Sequence, residues 1–312
     1  MPRTTGPRLR EVVEEYYKSL DYRNLTPATQ RDYRYCINAL LAIDHPRCKF
    51  NKTSMNTITP PIAQYAYNQW AEKGIPWATH CLAVASKVFN YGISLGHCLM
   101  NPFSKVSRRP HRPRKVVWRR EDVTQFLETA YGRFEWRSVG LIVQMAYEWC
   151  QRLGDMANLT WDKYDFDQRV LRLEQSKRRA RVELPATDDL HAMLVQQHLD
   201  LGFQDYLAPK VYGLVIDRKP YDKVSLSGVA RRIIKAAGLP DEYQIMDMRR
   251  TGTVEMVDAG VSLPQIMSVT GHANPQSVKP YLKNTLTSAK QAATLRFNTA
   301  SDTVKGIECL AG

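Results

Sequence analysis

The chain has 312 residues, 44% hydrophobic and 24% charged, ordinary proportions for a globular protein and enough length for two domains. Its net charge of +13, with a pI near 9.5, predicts a polyanionic partner, because clustered Lys and Arg gain free energy by releasing counterions from phosphates. Six scattered cysteines, seven histidines without ligand spacing, no apolar run near eighteen residues and no signal segment predict a cytoplasmic chain with no membrane partner, disulfide or metal.

Residues 1–7 read as a basic tail, and residues 8–104 as an all-α helical unit. In LREVVEEYYKSL, Leu9, Val12, Val13, Tyr16, Tyr17 and Leu20 form one broad apolar face. Thr26-Pro27 and Thr59-Pro60 each place a capping residue before a proline and start the next two helices. A fourth helix, within PWATHCLAVASKVFNYGISLG, stops at Gly96. Then comes KVSRRPHRPRKVVWRR, residues 105–120, in which eight of sixteen residues are Lys or Arg and two are Pro. This predicts an extended linker without a core, and its charge suggests phosphate contacts by Arg108, Arg109, Arg112, Arg114 and Lys115.

From residue 121 to 297 the pattern predicts a mixed α/β unit, mainly helical with a small three-stranded antiparallel sheet. Two helices (121–131 and 137–150) precede strands in WDKYDFDQ, RVLRLEQS and ARVELP. Helices follow at 187–200, 224–237, 248–259, 263–270, 274–282 and 285–297. Gly271 fits a left-handed helix end, and Asn274-Pro275 a cap and first position. The tail 298–312 carries an apolar cluster of Ile307, Cys309 and Leu310.

Four stretches carry the candidate chemistry. The first, QRLGDMANLTWDKYD, holds Arg152, Asp155, Leu159, Trp161 and Asp165. The second is a hairpin turn with Lys177 eight residues before Pro185, crowded by Arg178, Arg179 and Arg181. The third, MDMRRTGTVEMVDAG, holds Arg249, Thr251 and Gly260. In the fourth, TGHANPQSVKPY, Tyr281 lies nine residues after His272. Cutting a phosphodiester requires a nucleophile, charge neutralisation on the nonbridging oxygens and protonation of the leaving oxygen. Tyr281, two permanently charged arginines, His272 and Lys177 are the residue types that supply them.

In their order and spacing these stretches resemble the tyrosine recombinases, the phage integrase family, and LTPATQRDYRYCINAL extends the resemblance to the family's core-binding domain. The resemblance implies a two-domain clamp on duplex DNA, with an all-α core-binding domain followed by a tyrosine-recombinase catalytic domain. It implies Arg152, Lys177, Arg249, His272 and Tyr281 as catalytic residues, Lys177 as the general acid with a neighbouring basic residue as the alternative, and Arg178 and Arg179 as DNA contacts. Asp155 is expected to orient the site without touching DNA. The family's His or Lys three residues before the second arginine is replaced here by Met246, leaving the site a donor short unless Arg250 or Tyr243 fills the place. The implied activity is site-specific recombination through a 3′-phosphotyrosyl link and a Holliday junction, by a homotetramer, with accessory DNA-bending proteins among the expected partners. Neither ATP nor a metal cofactor is implied. The tail 298–312 is expected to dock on a neighbouring protomer, and the early start of the helical unit leaves no room for a separate arm-binding domain. A type IB-like topoisomerase and a non-cleaving DNA-binding protein of the same descent are the alternative readings.

Overall fold

A computed structural model describes residues 6–111, 114–177, 179–281 and 293–294. The chain divides into two compact units, Met1–Arg114 and Lys115–Gly312.

The first unit contains α1 (Leu9–Lys18), α2 (Leu20–Arg23), α3 (Pro27–Leu41), α4 (Pro60–Ala71) and α5 (Ile75–Ser94). Thr26 caps α3 by accepting the Thr29 N–H, and Pro27 and Pro60 stand at helix starts, where a missing N–H costs nothing. The core joins Val12, Ile37, Ala66, Tyr67, Val88 and Phe89, all fully buried. Leu20 is a correction: it is 66% exposed, because the helix breaks at Ser19, whose hydroxyl caps a new turn and rotates Leu20 off the apolar face. The unit is also not purely helical. A two-residue hairpin pairs β1 (Asp44–His45) with β2 (Cys48–Lys49) around Pro46 and Arg47.

The basic stretch 105–120 departs from the expected coreless linker. Val106 is buried in the first unit, the Ser107 N–H donates to Gln64 and the Arg109 N–H to the Tyr67 hydroxyl. At the other end Trp118 is buried in the second unit, stacked on Tyr243, with its N–H donating to the Thr251 hydroxyl. The apolar residues at either end of the stretch have cores to enter, and charge density alone concealed that. Arg108, Arg109 and Lys115 are exposed; Arg112 lies outside the described residues.

The second unit is built around α7 (Phe134–Glu148), apolar on nearly every side and hence central. Packed on it are α6 (Arg120–Tyr131), α8 (Leu153–Ala157), α9 (Asp188–Leu201), α10 (Lys223–Ala236) and α11 (Met248–Asp258). A three-stranded antiparallel sheet runs in the order β3 (Tyr164–Asp165), β4 (Val170–Glu174), β5 (Arg181–Pro185), as expected, with Leu171 opposite Leu184 on its buried face. A further hairpin, β6 (Pro209–Tyr212) and β7 (Val215–Pro220), falls where no strand was expected. Finally α12 (Leu263–Thr270) ends at Gly271, whose φ of 68° is the left-handed cap foreseen for it. The helix expected over 274–282 is instead two single 3₁₀ turns, Pro275–Ser277 and Lys279–Tyr281. Asn274 does cap the first, accepting the Gln276 N–H, but with Pro at 275 and 280 no longer ladder of backbone donors forms. The helix expected over 285–297 is described only at residues 293–294, and the tail 298–312 lies outside the described residues. Among the described residues no helix is long and apolar enough to cross a membrane.

Candidate active site

The site forms where the turn after α7 meets α11 and the end of α12. That turn is tight: Cys150 is buried and holds φ 50°, a left-handed value that a β-carbon disfavours. Gly252 of α11 lies directly against it, where a Cβ would stand 2.3 Å from the Tyr147 carbonyl oxygen and 2.7 Å from Cys150 Sγ. Close approach therefore requires glycine, and it brings Arg249, one turn earlier, beside Arg152. Burial pushes the Cys150 thiol up to about 12, so it packs as an inert apolar group.

Arg152, the residue preceding α8, donates from Nη1 to Gln175 Oε1 at 3.0 Å and lies 3.7 Å from Asp155. Asp155 is buried, and its other oxygen accepts from the Ser176 hydroxyl at 2.5 Å and from the Ser176 N–H. It thus links Arg152 to the β4–β5 hairpin. Arg249 donates from Nη2 to the Thr270 carbonyl at 2.9 Å and to His272 Nε2 at 3.1 Å. Its Nη1 is buried and has no hydrogen-bond partner among the described residues. Burial, and then the Arg152 guanidinium, lower its pKa. Two like charges held in a partly dry site, one with an orphan donor, form a ready-made hole for an anion.

Two residues that sequence reasoning missed hold this pair. The side chain of Gln175, at the end of β4, is fully buried; while its Oε1 accepts from Arg152, its Nε2 donates to the Thr270 carbonyl at 2.9 Å and to Gln151 Oε1 at 2.6 Å. Gln151 in turn donates to the Trp149 and Val269 carbonyls, each at 2.7 Å. One amide therefore fixes Arg152 directly and braces the carbonyl that fixes Arg249. The hydrogen-bond pattern allows a single orientation of each amide.

His272 is buried. Its Nδ1 is 2.7 Å from Thr270 Oγ1, whose own proton goes to the Ile266 carbonyl. The hydroxyl can only accept, so Nδ1 carries the imidazole proton and Nε2 presents a lone pair to Arg249. Tyr281 follows the fully buried Val278, which anchors the loop, and its N–H donates to the Val278 carbonyl. Its ring lies 6.2 Å from that of His272 and 5.1 Å beneath the Arg250 guanidinium.

The other expected residues divide. Lys177 is exposed in the β4–β5 turn and makes none of these contacts. Arg179 in the same turn has φ 54° and pairs with Glu174 at 3.0 Å; Arg178 is outside the described residues. Asp165 accepts from the Gln168 N–H and pairs with Arg172, which places it in the framework of the β3–β4 turn. Met246 is 57% exposed. Tyr243 is withdrawn as its substitute, since its hydroxyl donates to Asp122 and its ring is stacked on Trp118. The neighbouring Asp247 is buried and accepts the Gln244 N–H.

Residues 118–287, more than half of the sequence, match the Phage integrase family. The chain belongs to that family, the tyrosine-type site-specific recombinases. Solved structures share the fold. A lambda integrase tetramer bound to a Holliday junction is 18% identical with a TM-score of 0.73, over 90% of this chain and 79% of that one. A lambda integrase dimer bound to a COC′ core site is 18% identical with a TM-score of 0.72, over 88% and 95%. A Tn1549 transposon integrase in complex with a circular intermediate DNA is 16% identical with a TM-score of 0.74, over 93% and 99%. No protein of curated function matches the sequence.

Proposed function

We propose that this recombinase cuts duplex DNA by attack of the Tyr281 hydroxyl, which releases its proton to water, on the scissile phosphorus, forming a 3′-phosphotyrosyl bond as the bond to the 5′-oxygen breaks. Arg152 and Arg249 hold the nonbridging oxygens and offset the charge that grows on them. Lys177 delivers the proton taken up by the departing 5′-oxygen, which requires the β4–β5 turn to meet the DNA. Attack of a 5′-hydroxyl from the second duplex on the phosphotyrosine reverses these steps with a new partner strand. Repeating the exchange through a Holliday junction, in a tetramer on two sites, completes recombination; accessory bending proteins would act on the DNA outside this chain.

The observation that carries the reading is the buried Arg249 Nη1, without a hydrogen-bond partner among the described residues, beside a second guanidinium. An anion at that place satisfies the donor and relieves the repulsion. The test is to trap the covalent adduct from cells, sequence the attached DNA, and mix two duplexes bearing that sequence. Strand exchange between the duplexes is expected. Relaxation of a supercoiled plasmid without exchange would instead indicate the topoisomerase reading. On such DNA, Arg152→Ala and Arg249→Ala should each slow single-turnover cleavage on the order of 10² to 10³-fold, the scale for removing one charge donor. Wild-type cleavage by either variant would make that arginine structural.

A further inference from the structure

The first unit holds a group of side chains that recombination chemistry does not use. Asp32 and Cys36 are four apart on α3 and so share one of its faces, while His80 and Cys81 are neighbours in the first turns of α5, which packs on α3. His80 Nε2 lies 2.5 Å from Asp32 Oδ2. A carboxylate oxygen of Asp32, Sγ of Cys36 and a ring nitrogen of His80 all lie within 4.8 Å of one another. Cys36 is buried at the floor of the group, His80 half-buried and Asp32 exposed, so the three donors line a path open to solvent at one end.

We propose that Asp32, Cys36 and His80 form a divalent transition-metal site, of zinc type, that clips α3 to α5. One thiolate, one imidazole and one carboxylate are a donor set for zinc or cobalt and a poor one for magnesium or calcium, which take oxygen ligands. With bonds of about 2.0 to 2.3 Å, tetrahedral ligands stand roughly 3.3 to 3.8 Å apart, so side-chain rotations of about an ångström close the site. The ion replaces the proton between His80 Nε2 and Asp32 and displaces the Cys36 thiol proton. Water fills the fourth position. The site escaped the sequence reading because its two halves are more than forty residues apart and neither forms a ligand motif alone.

The test is titration of the full chain, reduced and freed of metal, with Co²⁺ under nitrogen. A sulfur-to-cobalt charge-transfer band that saturates at one ion per chain and is bleached by Zn²⁺ is expected. Cys36→Ser should abolish the band. The surface variants His80→Gln and Asp32→Asn, whose folding is checked by circular dichroism, should each weaken Co²⁺ binding at least about tenfold. Cys98→Ser, which removes a buried thiol bonded elsewhere, to the Phe89 carbonyl, should leave the titration unchanged. Absence of the band in the reduced wild type would overturn the proposal, as would its survival in Cys36→Ser or unchanged affinity in both surface variants. The group would then be an ordinary Asp–His pair above a buried thiol.

Discussion

At Gly271 the backbone holds φ 68°, and a Cβ there would meet the Gln175 amide nitrogen at 2.5 Å. The left-handed conformation alone should cost Gly271→Ala about 1 to 2 kcal/mol, read as a lowered midpoint in thermal unfolding. The displaced amide should cost activity too, because Gln175 holds Arg152 and the Thr270 carbonyl together. Gln175→Ala isolates that effect: cleavage should slow roughly tenfold to a hundredfold, the scale of breaking hydrogen bonds in a buried network, with DNA affinity little changed. Wild-type cleavage by Gln175→Ala in rapid-quench assays would show that the arginines are held without it. Met246 poses a different question, since a thioether cannot donate to phosphate. With Tyr243 committed to Asp122, Arg250 is the remaining substitute, and its guanidinium lies over the Tyr281 ring. If the donor is simply missing, Met246→His should speed single-turnover cleavage by up to roughly tenfold, about 1.4 kcal/mol off the barrier. The exposure of Met246 leaves room for an imidazole, and a gain is the expected result. No gain in Met246→His, together with a slowing above about tenfold in Arg250→Ala, would assign the role to Arg250 instead.

Among the elements, the stretch 105–120 is tied at both ends to buried partners, while the side chains of Arg108, Arg109 and Lys115 stay exposed. Changing Arg108, Arg109, Arg112 and Arg114 to Gln should lower the magnitude of the salt dependence of DNA binding, by roughly 0.9 in log–log slope for each phosphate that is no longer neutralised. An unchanged slope would mean that these arginines touch no phosphate. The same stretch shows what a sequence conceals: eight basic residues and two prolines announce solvent, while Val106 and Trp118 find cores that only tertiary structure reveals. The β6–β7 hairpin was missed for another reason. β7 is largely exposed, and β6 alternates over only four residues, too few to stand out, so the available signal was local: Gly213 with φ 60°, opening a two-residue turn between Tyr212 and Val215. Helix starts at Pro27 and Pro60 and the end at Gly271 were legible because caps act within a few residues. The candidate catalytic side chains were legible through spacing. Gln151 and Gln175 were not, because a buried glutamine acquires its meaning from carbonyls that the fold brings from distant segments.

For the whole molecule, each unit has its own core, and the family's signature falls in the second. The charge of +13 suits a polyanionic partner, and the proposed mechanism places one phosphate beside Arg249. In that mechanism Tyr281 is the residue that becomes covalently joined to the phosphate. That assignment is tested most directly by digesting the adduct formed on nicked DNA carrying the recombination site, with EDTA present, and locating the nucleotide-bearing peptide by mass spectrometry. The nucleotide should map to Tyr281, in undiminished yield, and Tyr281→Phe should bind the same DNA without forming any adduct. Attachment at another tyrosine, or an adduct formed by Tyr281→Phe, would contradict it.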